Sequence, residues 1–281
     1  MLGTGERRGF TMRNSYEGEA RETRTLTDLF TDAVVLIRQD AAEYGFTAVL
    51  GAIGGAVAVV MLGTAGGPIG RALMAPAAFL AALLTYATAC AAIRRVEENL
   101  SPDTLSAFAA VCQRAAAVVT PALGPLGIVF AGLLAAGFID RYVGQTVGTL
   151  AGLCVVGGAA IPVFRRALYV PALFTHSSNA RDAADRAARA QDTASAALFV
   201  LHGAALVPAL LFGLIALGTG FTVMSSALAS FVFVMTMPLS AAISTLILDR
   251  VAPAAAMRAS AAKRHVASTS PVTDRLTRIR R

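Results

Sequence analysis

The stretch PALGPLGIVFAGLLAAGFIDRYVGQTVGTLAGLCVVGGAAIPVF, residues 121–164, decides the fold of this chain. It contains two long apolar runs separated by the charged pair Asp140-Arg141. Each run matches the roughly 20 residues that a helix needs to cross a bilayer. The stretch therefore predicts a transmembrane hairpin whose solvated turn is the Asp140-Arg141 pair.

The same pattern recurs along the rest of the 281 residues, which are 56% hydrophobic and have a mean hydropathy of +0.65. Asp, Glu, Lys and Arg are missing from residues 44–70, 72–93, 115–139, 142–164 and 193–248. The first four runs each fit one crossing, and the last fits two with Gly218-Thr219-Gly220 as the turn. The sequence thus predicts an all-α polytopic membrane protein with six transmembrane helices.

The net charge of +7 is distributed in a way that indicates a membrane, and not nucleic acid, as the partner. In the six-span layout, 22 of the 24 Lys and Arg residues fall on the side that holds both termini, and only Arg71 and Arg141 fall on the other. Because cytoplasmic loops are enriched in Lys and Arg, both termini are predicted to be cytoplasmic. We expect a multi-pass protein of the plasma membrane, or of the inner membrane of a prokaryotic cell.

Polar tails flank the membrane domain, which we place at residues 25–250. Residues 1–24 mix both charges and are expected to be a disordered cytoplasmic tail, and residues 251–281 are expected to be a basic, flexible cytoplasmic tail. Within the domain, a cytoplasmic amphipathic helix is predicted before each pair of spans, beginning near residues 25, 103 and 179.

Each of these three amphipathic helices has a recognisable start or face. The apolar face of the first collects Leu26, Leu29, Phe30, Ala33, Val34 and Ile37. The third begins at Ser178 or Asn179 and carries two acid-first pairs at i,i+4, Asp182–Arg186 and Asp185–Arg189.

The second amphipathic helix is predicted from Ser101-Pro102-Asp103, with the serine as cap, to about Thr120. Its apolar face is expected to carry Leu105, Phe108 and Cys112. After it, Pro121 and Pro125 predict a bend into the third span.

Glycines spaced four residues apart predict where helices approach closely. In the second run of the central hairpin they are Gly144, Gly148 and Gly152, and in the first span they are Gly51 and Gly55. Small residues on one stripe let helix backbones come together in lipid, so these positions are predicted packing sites. Gly66-Gly67-Pro68 predicts a short external turn between the first two spans.

Residue types that carry chemistry are sparse. The three histidines, His176, His202 and His265, are far apart, and no HExxH, GxSxG, Walker A or dinucleotide motif occurs. Cys90 and Cys154 fall in predicted spans and Cys112 in a cytoplasmic segment, where small apolar packing residues are the usual interpretation. We therefore expect no catalytic residues, no metal and no cofactor.

A polar stripe follows the last predicted span. Its members are Ser225, Ser226, Ser230, Thr236, Ser240, Ser244 and Thr245, and His202 on the fifth span is expected opposite it. Hydrogen bonds between helices explain such a stripe, and a substrate path lined by His202, Ser230 and Ser240 is the alternative. Pro208 and Pro238 predict kinks in these two spans, and Asp249-Arg250 predicts an interfacial anchor.

Two segments resemble a known group. Leu26-Thr27-Asp28-Leu29-Phe30, leading to Tyr44-Gly45-Phe46, resembles the start of six-span bacterial and archaeal membrane proteins that include the membrane domain attached to some glycerophosphodiester phosphodiesterases. Residues 167–173, ALYVPAL, and the later Arg181-Asp182-Ala183-Ala184 are similar to that group's apolar-proline segment and its cytoplasmic helix. The resemblance covers roughly residues 25–250 and implies the six-span fold.

The chain departs from that group in two ways. His176 and Asn179 stand where the group often has an acidic residue, and the sequence contains no phosphodiesterase domain, so that activity is not expected.

The function that these features favour is that of a non-catalytic scaffold or accessory subunit in a membrane complex. The expected partners are the bilayer, anionic lipid headgroups at the cytoplasmic face, and other membrane subunits or a second copy of the chain, without nucleic acid. The alternative is a transporter of an apolar or lipid-like solute that uses the fifth and sixth spans.

Overall fold

The computed structural model describes residues 26–98, 100–164, 166–175, 179–218 and 222–250, which are helical almost throughout and contain no strand. In chain order the helices are α1 (Leu26–Gln39), α2 (Ala41–Ala65), α3 (Gly67–Glu97), α4 (Thr104–Gln113), α5 (Ala115–Tyr142), α6 (Gln145–Phe164), α7 (Tyr169–Thr175), α8 (Ala180–Gly218) and α9 (Val223–Met235), followed by α10 at 237–250. The predicted tails, 1–24 and 251–281, and Thr219-Gly220 of the predicted turn lie outside the described residues.

Within the described residues, five helical stretches are long and apolar enough to cross a membrane, in agreement with a multi-pass protein. They are α2, α3, α5, Ala194–Ala216 within α8, and Val223–Arg250, which joins α9 to α10. The fourth predicted span corresponds to α6. Its stretch Thr146–Val155 is apolar but is shorter than the five candidate spans. The all-helical fold is therefore confirmed with five candidate spans, and the count of six stays a prediction.

The bundle is built around α3. Helix α2 packs along α3 and α9, α8 packs on α9, and α5 packs on α3 and α6. The predicted Gly51 and Gly55 pair lies in this packing, since a Cβ at Gly51 would overlap Thr85 Oγ1 and one at Gly55 would lie 3.0 Å from the Ala81 Cβ. The predicted turn at Gly66-Gly67-Pro68 is also present, with Gly67 at φ +54°.

The predicted apolar face of α1 is largely the face that packs. Ala33 is fully buried, and Leu29, Phe30 and Ile37 pack against the core. Leu26 and Val34, at the edge of that face, are each 40% exposed.

The prediction for α4 was wrong in its start and in its buried face. Asp103, not Ser101, caps the helix, because its carboxylate accepts from the Leu105 and Ser106 amides. Leu105 is 69% exposed, and Phe108 and Cys112 are exposed too. The buried residues are Thr104, Ala107 and Val111.

A carboxylate from α2 explains this choice of face. Glu43 Oε2 accepts from the Thr104 amide at 3.2 Å and from the Thr104 hydroxyl at 2.8 Å, and Thr47 lies 3.0 Å from that hydroxyl. An anion at a helix N-terminus is favourable, and Ala107 and Val111, small enough to pack closely, follow Thr104 along the same face. The face of α4 is thus set by a residue 61 positions away.

The end of α4 also differs from the prediction. The helix stops at Gln113 and the chain turns at Arg114, whereas Pro121 and Pro125 lie inside the continuous helix α5. The chain therefore breaks seven residues before the first of these prolines.

The third amphipathic helix and the fifth span form one 39-residue helix, α8. Asn179 caps it, accepting from the Asp182 amide at 2.8 Å. Near the predicted i,i+4 pairs, Arg189 donates to the Asp185 backbone carbonyl at 3.0 Å. One buried stripe runs through both parts, at Ala183, Ala187, Ala190, Ala194, Leu198, Leu201 and Ala205.

Only one of the two predicted proline kinks interrupts a helix. Pro208 lies within continuous α8, whereas α9 and α10 are separated at Thr236, two residues before Pro238. At that break the Thr236 amide bonds Phe233 O at i−3, a tighter turn than that of an α-helix. Proline removes one i−4 hydrogen bond and disfavours helical geometry in the residue before it.

Candidate functional site

Two of the three predicted path residues lie together in the interior. His202 on α8 is 8% exposed, and its Nε2 lies 2.9 Å from the Ser244 hydroxyl on α10. Its Nδ1 lies 3.0 Å from Leu198 O. Ser240, one helical turn before Ser244, is 3% exposed. The histidine is thus opposite the stripe of the last span, at its Ser240–Ser244 end.

These contacts favour one tautomer of a neutral imidazole. Because Leu198 O can only accept, a neutral ring bonded to it carries its proton on Nδ1, which leaves Nε2 to accept from Ser244. A serine bonded to a neutral histidine is the arrangement of a nucleophile and its base. Ser244 has 0% exposure, however, so in this conformation the pair joins α8 to α10 and is closed to a substrate.

The third path residue lies in a different place. Ser230 on α9 is ten residues before Ser240, about 15 Å along a helix, and it faces α2 close to Gly55. Ser230, Ser240 and Thr245 each have a buried hydroxyl without a hydrogen-bond partner among the described residues. The stripe therefore combines one hydrogen bond between helices with several hydroxyls that are buried and unpaired in this part of the chain.

The three predicted packing glycines of the central hairpin, Gly144, Gly148 and Gly152, have different environments. A Cβ on Gly148 would lie 2.5 Å from the Asp140 Cβ, and one on Gly152 would make ordinary contacts with Leu133 and Ala136. Gly144 precedes the helix, at φ +135°, a conformation that favours glycine. Gly148 and Gly152 thus face α5, while Gly144 forms the turn.

The charged pair of the hairpin was predicted at this turn and lies just before it. Helix α5 continues to Tyr142, so Asp140 and Arg141 are in its last turn and the chain reverses at Val143-Gly144. The positive φ of Gly144 places the reversal there.

The short helix α7 packs into the interior, which no spacing of residues in its sequence predicts. Leu168, Ala172 and Leu173 are 0–2% exposed, although the segment was expected in a cytoplasmic connection. Tyr86 of α3 donates to Ala167 O at 2.8 Å, and Arg114 donates to Leu173 O at 2.6 Å. The Arg114 guanidinium also lies 5.7 Å from the centre of the Phe174 ring.

Two prolines in α5 provide the acceptors that hold this region in place. Proline has no N–H, so Pro121 leaves the Ala117 carbonyl, and Pro125 leaves the Pro121 carbonyl, without their helical partners. Tyr169 Oη donates to Ala117 O at 3.1 Å, and Arg166 Nη1 donates to Pro121 O at 2.7 Å. The two prolines, spaced at i,i+4, are the sequence signal that predicts two carbonyls without a helical N–H partner.

The outward surfaces of the spans are strongly apolar. On α5, Leu123, Ile128 and Phe138 are 57–63% exposed. A shallow open groove between α2 and α9 is lined by apolar side chains that include Met61 and Met224. These surfaces suit acyl chains or other apolar helices, and they offer no polar contact to a hydrophilic ligand.

Within the described ranges, no group of three or more metal-ligating side chains comes together. Comparison with protein-family models, curated proteins and solved structures gave no match. The layout-level resemblance to the six-span group therefore stays a prediction.

Proposed function

We propose that this protein is a non-catalytic scaffold or accessory subunit of a membrane complex, with six spans and both termini in the cytoplasm. The span not counted among the five candidate stretches, the fourth in chain order, would be α6, whose 20 residues reach about 30 Å, the thickness of the hydrocarbon core. The orientation rests on the distribution of basic residues. Anionic headgroups would meet the basic cytoplasmic face.

One observation carries the scaffold proposal: an outward stripe of small residues on α5. Gly127, Ala131 and Ala135 are spaced four residues apart and all are exposed. A Cβ at Gly127 would meet nothing within 4 Å. Small residues in this spacing allow a second helix to approach closely in lipid, so the stripe fits a helix of another subunit or of a second copy.

The stripe is tested by enlarging it without disturbing the protein's own packing. We expect Gly127→Leu to reduce stoichiometric association of a second subunit or copy, measured by native mass spectrometry from mild detergent. Its own thermal stability should not change, because the site is open. Gly54→Leu on α2 is the control, since Gly54 is also exposed with nothing within 4 Å of a Cβ.

Two results would contradict the scaffold proposal. One is a protein that is monomeric and unaccompanied before any substitution. The other is equal association in the Gly127→Leu and Gly54→Leu variants.

The second candidate is a transporter of an apolar or lipid-like solute through the fifth and sixth spans. The observation in its favour is the set of buried hydroxyls without partners at Ser230, Ser240 and Thr245. Such groups are costly unless water or a solute bonds them in another conformation. Ser230→Ala together with Ser240→Ala would abolish transport under this reading, whereas a scaffold would keep its partners and its phenotype.

A further inference from the structure

The outward face of α4 is apolar, and no described residue covers it. Leu105 is 69% exposed and Phe108 is 46% exposed, and Ala109 and Cys112 are exposed as well. These four residues lie within about 100° of one another around the helix. The ten residues of α4 include no charged side chain at all. Such a face is unfavourable in water, so lipid or protein must cover it.

The contact between α4 and α2 fixes the depth of α4 along that span. The hydroxyl of Thr104, the first residue of α4, lies 3.0 Å from the hydroxyl of Thr47. Thr47 is about 9 Å along α2 from Ala41, where α2 begins. The 25 residues of α2 extend about 38 Å, about 8 Å more than the hydrocarbon core of a bilayer. Even if the whole excess projects at the Ala41 end, α4 begins level with the edge of that core.

The outward surface of α2 is apolar at the same level. Phe46 is 53% exposed and Leu50 is 54% exposed, and both belong to a candidate span. Phe46 precedes Thr47 directly, and Leu105 follows Thr104 directly. The exposed side chains of Phe46 and Leu105 therefore lie at about one depth, and the surface that α2 offers to lipid continues onto α4.

The start of α4 also meets the hydrogen-bonding requirement of a helix end beside lipid. All four of its first amides, at residues 104–107, have acceptors within the protein. The first donates to Glu43 Oε2 at 3.2 Å, the next two to the Asp103 carboxylate at 3.3 and 3.0 Å, and the fourth to the Asp103 carbonyl at 3.0 Å. A helix end in water can leave these amides to solvent, whereas beside hydrocarbon each one needs an internal acceptor.

We propose that α4 lies in the bilayer interface, with Leu105, Phe108 and Cys112 among lipid acyl chains, and that lipid covers this face in place of another subunit. Helices of this kind bury their apolar face about 5–10 Å into the boundary between headgroups and acyl chains. Asp103 and Arg114 flank the uncharged helix, one at each end, where headgroups and water can solvate them. The proposal holds for a scaffold and for a transporter alike.

Fluorescence quenching distinguishes lipid, water and protein as the cover of this face. The full chain is extracted by a styrene–maleic acid copolymer, which retains the surrounding lipid and any bound subunit. A bimane label on Cys112 then needs no substitution in α4, because Cys90 is buried and Cys154→Ala removes the other exposed cysteine. A fatty acid with a nitroxide near its carboxyl end quenches from the lipid, and iodide quenches from the water.

Two matched variants provide the references, each in a background with Cys112→Ala and Cys154→Ala. Leu50→Cys is the lipid reference, and Arg181→Cys is the water reference, since Arg181 is exposed and precedes the apolar part of α8, which begins at Ala194. We expect the ratio of nitroxide to iodide quenching at Cys112 to exceed that of Arg181→Cys severalfold and to lie closer to that of Leu50→Cys. Leu105→Cys, in the same background, should give the same result.

Two results would overturn the proposal. A ratio at Cys112 closer to that of Arg181→Cys would show that water covers the face. Quenching by both agents that is weak against both references would show that protein covers it, either another subunit or a further segment of this chain. Cys112 is native, so its result decides even if Leu105→Cys does not fold.

Discussion

The bond between Tyr169 and the Ala117 carbonyl makes a quantitative prediction, because Pro121 is the reason that this carbonyl is free. Tyr169→Phe removes the donor and leaves the ring in place. Tyr169 is 8% exposed and the bond is 3.1 Å long, so the carbonyl should lose its partner with little access to water. We expect the free energy of unfolding to fall by about 1–2 kcal/mol, the usual cost of an orphaned acceptor.

Tyr169→Phe should lower the free energy of unfolding much less when residue 121 has an N–H. In a Pro121→Ala background, the new amide can bond Ala117 O as in an ordinary helix, so Tyr169→Phe should cost below about 0.5 kcal/mol. The double-mutant cycle then yields a coupling of about 1 kcal/mol. Reversible unfolding in mixed micelles measures each of the four proteins.

Pro125→Ala is the matched control for this cycle. The new amide at position 125 in this variant would bond Pro121 O, the carbonyl to which Arg166 donates, and not Ala117 O. Pro125→Ala should therefore leave unchanged the loss of unfolding free energy that Tyr169→Phe causes. An equal cost of Tyr169→Phe in all three backgrounds would show that the tyrosine hydroxyl is not compensating for a proline, and the account of how α7 is held would fail.

Two further predictions concern the hairpin and the topology. Gly148→Ala should lower the melting temperature by several degrees, because the new Cβ would lie 2.5 Å from the Asp140 Cβ. Gly137→Ala is the control and should leave the melting temperature unchanged, because its Cβ would meet nothing within 4 Å. Equal shifts in the two variants would refute the close contact. In a background without native cysteine, Tyr142→Cys should be labelled from outside intact cells and Arg181→Cys only after permeabilisation, and the reverse pattern would refute the predicted orientation.

The sequence predicts those parts of the fold that depend on local pattern. Charge-free runs locate the spans, and the turn at Gly66-Gly67-Pro68 follows from residues that are adjacent in the chain. The apolar face of α1 follows from spacing alone. In each case the information lies within a few residues of the feature that it determines.

The parts that the sequence does not predict depend on distant partners. Leu105 and Phe108 look like the buried face of α4, but Glu43 holds the opposite face against α2. Likewise α7 is too short to show a period, and its burial depends on carbonyls of α5 that two prolines leave free. The candidate site shows the same limit, since the spacing places His202 opposite the stripe but does not pair it with Ser244.

Helix α8 constrains which length changes this protein can accept. At 1.5 Å per residue its 39 residues extend about 58 Å, almost twice the hydrocarbon thickness of a bilayer. Its amphipathic part and its apolar part share one buried stripe, from Ala183 to Ala205, without a turn that could absorb a rotation. One residue inserted near Asp192 would rotate one part by about 100° against the other and move half of the stripe off its partners. An insertion or deletion in this helix is therefore tolerable only when its length is close to a whole number of helical turns. Such a change keeps the two halves of the stripe on the same side of the helix, which matters more here than the length of the helix itself.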